Sequence, residues 1–417
     1  MLGLRPVRVR RVNAAASCAM AVVIFLYCDV VSAQGPSGAA RPAQTASAAF
    51  QSLAARATAA QDADNLDEAV PLFRKALALN PRWVEGWWSL GEIDYKDDRY
   101  RAAAGEFKKV VALDPKYGTA RAMLGLCEFE LGQEKEALHD IEASKELGME
   151  QDPQLRQVVL YHEGILLQRA SLYEQASMAL SSLCLSGVRS ADLAQIFGMT
   201  MLHINSEAAP AESTPEGDVV QHIGRGACLS AANEYDQARR EYDYVLQANP
   251  HFPLVHFAYG KFLLEARDRP GAIEAFKQEI TEAPNSVLAR LEIAATEYKV
   301  DSAAGVEYAQ QAVKIAPGSA LPHYLLGLLL LDTGDYQGSI PHLEIAKKAL
   351  PQESKLYWSL GVAYAHVGRP KDAAEARATF ARMSHANGAS QNAAAGDTPD
   401  SAPQIDVMDS AGTATTH

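Results

Sequence analysis

The sequence is short of basic charge: 38 Lys and Arg stand against 51 Asp and Glu. A net-acidic chain repels phosphate backbones, which argues against nucleic acid as a partner. Apolar runs are short too. The longest near the start, Ala19 to Tyr27, ends close to Asp29 and falls well below the roughly 20 residues that a spanning helix needs. No integral membrane span is expected once that segment is removed. Aromatics are only 7% of residues and alanine is abundant, a composition that suits helices better than sheets of β-branched strands.

Signatures of chemistry are also missing. His162-Glu163 opens a zinc-protease pattern, but the second histidine would fall at 166, which is Leu166. Gly224 and Gly226 sit in a helical pattern instead of following a strand, and the last glycine of a dinucleotide loop is absent. Neither a phosphate loop nor a nucleophile elbow occurs. The expectation is therefore no enzyme, no cofactor and no metal.

What is present begins with Arg5, Arg8, Arg10 and Arg11, the short apolar run, and then Val31-Ser32-Ala33. This order of basic, apolar and small residues resembles a secretory signal peptide cleaved after Ala33. The alternative is an uncleaved anchor. Cys28 is not placed as a lipoprotein cysteine, because Tyr27 precedes it, and Arg10-Arg11 is a twin-arginine pair without the usual surroundings. Export would place the protein in the periplasm or outside the cell. Removing residues 1–33, with four arginines and one aspartate, takes the net charge from −13 to −16. Cys127, Cys184 and Cys228 then remain. Three is odd, so at least one thiol is free or pairs outside the chain. Cys184 with Cys228 is one conceivable pair, and small buried hydrophobe is the alternative role for all three.

A repeat of 34 residues dominates the rest. Read from Val84, the chain shows Trp87, Leu90, Gly91, Tyr95, Tyr100, Ala103, Phe107, Val110 and Pro115 at positions 4, 7, 8, 12, 17, 20, 24, 27 and 32. Leu124, Gly125, Phe129, Ala137 and Ile141 repeat it, and so do Leu160, Gly164, Tyr173, Ala176 and Leu180. After an interruption come Gly226, Tyr235, Ala238, Tyr242 and Pro250, and later Gly260, Ala272, Phe276 and Pro284, then Gly327, Tyr336, Leu343 and Pro351, and last Gly361, Tyr364 and Ala373. Apolar residues spaced three and four apart form one stripe on each of two helices. Small residues at 8 and 20 let the backbones approach, large ones at 4, 17 and 24 fill the gaps, and proline at 32 ends the second helix. This pattern resembles the tetratricopeptide repeat family. The resemblance implies an all-α, right-handed α-solenoid of helix-turn-helix repeats that binds partner proteins without catalysis.

Pairs are expected at 50–83, 84–117, 118–151, 157–190, 219–252, 253–286, 287–319, 320–353 and 354–387. The unit at Val287 is degenerate: its turn, Val300 to Ala304, is one residue short, and Gly305 stands where alanine is expected. The expected organisation is a signal peptide (1–33), a disordered linker (34–49), an N-terminal array of four repeats (50–190), an irregular helix and acidic loop (191–218), a C-terminal array of five repeats (219–387) and a disordered tail (388–417). The insert would divide the solenoid into two sub-arrays.

In such arrays positions 2, 5, 9, 12 and 13 of each first helix line a concave trough. The stretch WVEGWWSLGEIDYKDDRY from Trp83 to Tyr100 holds three of the four tryptophans and divides on this scheme. Trp83 packs at the repeat junction, Trp87 is core, and Trp88 faces the trough with Glu92 and Tyr95. The same positions elsewhere give Phe129, Tyr161, Arg169, Phe257, Lys261, Tyr298, Lys299, Tyr324 and Trp358. Aromatics offer large contact area at low conformational cost, and the cations can orient polar groups of a peptide or helix. Packing against the next repeat is the competing role for any one aromatic. The alternative function is a carbohydrate-binding accessory of envelope polysaccharide assembly or export, in which the aromatics stack sugar rings. The chaperone-binding carboxylate clamp is not matched: Trp88 and Glu92, or Ala54 and Thr58, stand at its first-repeat sites. His222, His256 and His323 all fall at position 4, where imidazole replaces a large inward ring.

Overall fold

The computed structural model describes residues 41–149, 153–205, 210–211 and 213–390. The signal peptide, the cleavage site at Ala33 and the tail beyond Ser390 lie outside them. Nineteen helices and no strands occur among the described residues. In the first unit they pair as α1 (Arg41–Asp62) with α2 (Leu66–Leu79), α3 (Val84–Lys96) with α4 (Tyr100–Leu113), and α5 (Gly118–Glu130) with α6 (Glu134–Leu147). Then come α7 (Pro153–Arg169), α8 (Tyr173–Leu185) and an extra helix, α9 (Ala191–Met201). The pairs resume with α10 (Pro215–Ala231) and α11 (Tyr235–Ala248), α12 (Val255–Glu265) and α13 (Arg269–Glu282), and α14 (Val287–Glu297) and α15 (Ser302–Ile315). The last two are α16 (Ala320–Asp332) with α17 (Tyr336–Ala349) and α18 (Ser354–His366) with α19 (Pro370–Ser390).

The chain divides into two compact units between Val159 and Leu160, inside α7. The insert at 191–218 was the expected boundary, yet it lies within the second unit. The expected linker also differs: residues 41–49 belong to α1. Its alanine-rich sequence favours helix, and the Phe50 ring anchors the segment against Trp83 at 5.4 Å.

Inside each pair the small residue at position 8 decides how close the helices come. A Cβ on Gly91 would lie 2.8 Å from the ring of Phe107, which is fully buried together with Phe73, Tyr242 and Phe276 at the same register. The second helices end two residues before Pro81, Pro115, Pro250 and Pro351, since proline disfavours helix at the preceding residue.

The turns inside the pairs share a device that the apolar pattern does not reveal. Asp64, Asp98, Ser171, Asn233, Arg267 and Lys299 have positive φ, as do Gly132, Gly334 and Gly368. Each stands second after the end of a first helix. A left-handed residue there turns the next amide back onto the helix: Arg99 N–H donates to the Asp94 carbonyl at 2.8 Å. The degenerate unit keeps the device, with Lys299 left-handed and Asp301 capping α15.

α9 is held against α10 by a close backbone approach at two glycines. A Cβ on Gly198 would lie 1.9 Å from the Val220 carbonyl oxygen, and one on Gly224 would lie 1.7 Å from that of Ala194. Any side chain at either site would push the helices apart. Leu193 and Phe197 of α9 join Leu180, Leu183 and Ala227 in one buried cluster. Beside it Cys184 and Cys228 form a disulfide between α8 and α10, while Cys127 is a buried free thiol. α9 is thus built into the core of its unit.

Candidate functional site

In the first unit Trp88 is half-buried, its ring 5.4 Å from Phe107 and 5.2 Å from Tyr117. Trp87 is half-buried as well and donates its indole N–H to the Pro81 carbonyl at 2.9 Å. Trp87 packs on the buried cluster of Phe73, Leu77 and Leu90 and Trp88 on that of Phe107, so burial alone does not separate a core Trp87 from a trough-facing Trp88. Positions 5 and 12 of a first helix look partly toward the first helix of the next repeat, so Trp88 and Tyr95 pack on the cluster of Phe107, Leu124 and Cys127. Trp83 does sit at the junction, against Phe50 and Phe73. Glu92 and Phe129 are half-buried. Tyr95 meets Tyr100 edge-on at 5.5 Å, and burial, with nearby acids, raises its pKa.

In the second unit the position-5 aromatics are graded. Phe257 is 3% and Tyr324 4% exposed, so both are core residues and not trough-facing as the register alone implied. Phe257 meets Phe276 at 5.8 Å. The Tyr324 hydroxyl is buried with no hydrogen-bond partner among the described residues. Tyr161 is half-buried, and burial, with Asp192 adding, pushes its pKa up to about 12. Trp358 is 38% exposed on α18, the most open of the five.

The cations are already engaged. Lys261 Nζ lies 2.9 Å from Glu292 and 3.2 Å from Glu174. Burial works against its charge, yet Glu292 and then Glu174 outweigh it and hold the pKa above its usual value. Lys299 pairs with Asp332 at 2.7 Å and lies 5.3 Å from the centre of the Tyr298 ring. Tyr298 itself is half-buried against two core clusters. Arg169 is half-buried at the end of α7.

One grouping was not visible in the sequence. The stretch after α9 crosses to α12 and to the α7–α8 turn. His203 stacks on Tyr173 with ring centres 4.1 Å apart and meets Phe257 edge-on at 5.8 Å. Burial, with Lys261 adding, pushes the His203 imidazole down to about 4. Gln168 donates to the Ile204 carbonyl at 2.5 Å, and Tyr173 Oη donates to the His203 carbonyl at 3.2 Å. Gln168, Phe257 and Lys261 occupy positions 12, 5 and 9 of their repeats. Only the phase of Phe257 and Lys261 pointed here, because His203 belongs to the insert and Tyr173 to a packing position.

The position-4 histidines take polar partners. His222 Nδ1 is 2.6 Å from Glu241, and His323 Nδ1 is 2.8 Å from His342 Nδ1. Burial lowers the pKa of His256. Among the described residues no three such side chains converge as metal ligands would.

A profile of the tetratricopeptide repeat matches residues 54–115, 91–148, 229–287 and 324–386, more than half of the chain. The chain belongs to the tetratricopeptide repeat family. Solved structures with similarity include a crystal structure of MamA, 22% identical over 39% of this chain and 96% of that one, with a TM-score of 0.37. Another is MamA from residue 41 onward of Desulfovibrio magneticus RS-1, 20% identical over 40% of this chain and 94% of that one, with a TM-score of 0.37. No curated protein matches the sequence. Tetratricopeptide arrays are typically non-catalytic scaffolds for protein partners. No described helix is long and apolar enough to cross a membrane.

Proposed function

We propose that this tetratricopeptide protein is exported, loses residues 1–33, and acts outside the cytoplasm as a non-enzymatic scaffold that holds peptide or helical segments of a partner on its concave face. Trp358 carries the binding half of this reading: a large aromatic at a trough position with more than a third of its surface in solvent. Half-buried Trp88, Tyr95 and Phe129 would serve in the first unit. Rings fixed on one side by packing and open on the other suit an anchor, because little side-chain freedom is lost on binding. The Cys184–Cys228 disulfide supports export, since such bonds persist in oxidising compartments.

The test is recovery of partners from envelope extract with the chain starting at Gln34, followed by calorimetry. Trp358→Ala should weaken a recovered protein partner by more than about 1 kcal/mol with the fold intact. Unchanged affinity for both Trp358→Ala and Trp88→Ala would refute the concave-face reading. Binding to a glycan array without any protein partner would favour the carbohydrate alternative. N-terminal sequencing that found residues 1–33 still attached would refute cleavage.

A further inference from the structure

In the second unit the chain that follows α9 crosses from the α7–α8 turn to α12. Leu202 is buried with Met199, Val219, Val220 and Phe257. His203, in the left-handed conformation that ends α9, places its ring on Tyr173 and its edge against Phe257. The carbonyls of His203 and Ile204 accept hydrogen bonds from Tyr173 and Gln168, and Asn205 Nδ2 donates to Ser171 Oγ at 2.8 Å. Two backbone carbonyls gripped by side chains, one buried apolar residue and one stacked ring are the elements of peptide recognition, and groups from repeats on both sides of α10 supply them.

We propose that Leu202–Asn205 is a resident peptide, held on a seat formed by Gln168, Ser171, Tyr173, Phe257 and Lys261 that accepts an extended segment of a protein partner once the resident leaves. This rests on the concave face being the binding face. The seat prescribes the guest. Contacts to carbonyls are indifferent to sequence, whereas the space between Tyr173 and Phe257 demands a planar ring after an apolar residue. Glu174 and Glu292 flank the Lys261 ammonium, and Glu265 lies close enough to act on it. These carboxylates hold the ammonium in place, and because burial and Lys261 both oppose a positive charge on the stacked ring, the guest ring should be neutral. A covalently attached resident is present at high effective concentration and competes with any guest, so the seat is closed in the resting chain.

Two variants test this without altering the seat. His203→Asp removes the stacked ring and sets a charge where the imidazole is buried, and Gly198→Leu drives α9 off the Val220 carbonyl. The probe is a labelled, end-capped peptide of residues 199–205 followed by fluorescence anisotropy, with hydrogen exchange reporting the release of 202–205. The expected result is that at least one variant exposes 202–205 while α10 and α12 stay protected, and binds the peptide at least about tenfold more tightly than the wild-type chain does. The proposal is overturned if the released variants fail to bind, or if wild type and variants bind equally. It is also overturned if neither variant can free 202–205 without melting α10 and α12, because the segment is then an indispensable part of the core. None of these failures touches the result at Trp88 and Trp358.

Discussion

The imidazole of His203 lies face to face with the ring of Tyr173, the two planes 12° apart. The stack joins the end of the inserted helix to the turn between α7 and α8, and it works only while the imidazole is neutral, because burial and the nearby Lys261 ammonium both oppose a second positive charge.

The first prediction follows from that charge state. The imidazole titrates near its ordinary 6.5 in the unfolded chain and at about 4 in the fold. The unfolded chain therefore binds the proton first, so the stability is complete above about pH 6.5 and falls as the pH drops toward 4. His203→Phe keeps the stacked ring and cannot titrate. Chemical denaturation between pH 7 and 4 should show a smaller loss for this variant than for wild type. Parallel curves would place the His203 imidazole outside the buried stack.

Glu106 should behave with the opposite sign. Burial, with the Asp94 carboxylate adding, pushes its carboxyl up to about 8, so the fold favours the protonated form. Its contribution is fully present below about 4.5 and is lost as the pH rises through 8. Glu106→Gln preserves shape and cannot ionise. Thermal melts should place the variant above wild type at pH 8.5, with the gap narrowing toward pH 5. A constant gap would show that ionisation is not the cause.

The adjacent tryptophans should cost similar amounts when truncated. Both are half-buried, so Trp87→Ala and Trp88→Ala should each lose about 1.5 to 2.5 kcal/mol, below the roughly 3 to 5 kcal/mol of a closed aromatic core site. Urea titration of the two variants decides it. A large loss at Trp87 with almost none at Trp88 would restore the simple division into core and trough.

Arg267 is exposed with φ of 62°. Glycine adopts this conformation without the Cβ clash, although it also loses more freedom on folding. Arg267→Gly should raise stability by about 0.5 kcal/mol, read from the denaturant midpoint at unchanged slope. A lower midpoint would mean that the arginine makes contacts that offset the strain.

The helix pairs could be read from the chain because their packing is local. Gly91 and Phe107 lie 16 positions apart, as do Gly164 and Leu180, Gly226 and Tyr242, and Gly260 and Phe276, and a small residue facing a large one at a fixed spacing leaves a periodic trace. The trough was less legible. Position 5 faces both solvent and the next repeat, and which dominates depends on neighbours: Phe257 is covered by the segment after α9, whereas Trp358 in the last pair stays open. α9 itself was only half visible. Its helix could be expected, but its seat depends on Gly198 meeting Val220 and Gly224 meeting Ala194, a match between segments with no period. The recurrent left-handed turn was hidden because Asp, Ser, Asn, Arg, Lys and Gly all fill it.

The Cys184–Cys228 bond spans 44 positions, and everything between them, α9 and Leu202–Asn205 included, is a covalently closed loop. A single proteolytic cut at 206–212 opens that loop without dividing the molecule. The two fragments would run as one species until reduced, while the resident segment gains a free end on the side where it leaves the seat. Scission there is thus a change of topology that keeps α8 joined to α10, and only reduction of the bond turns it into a separation of parts.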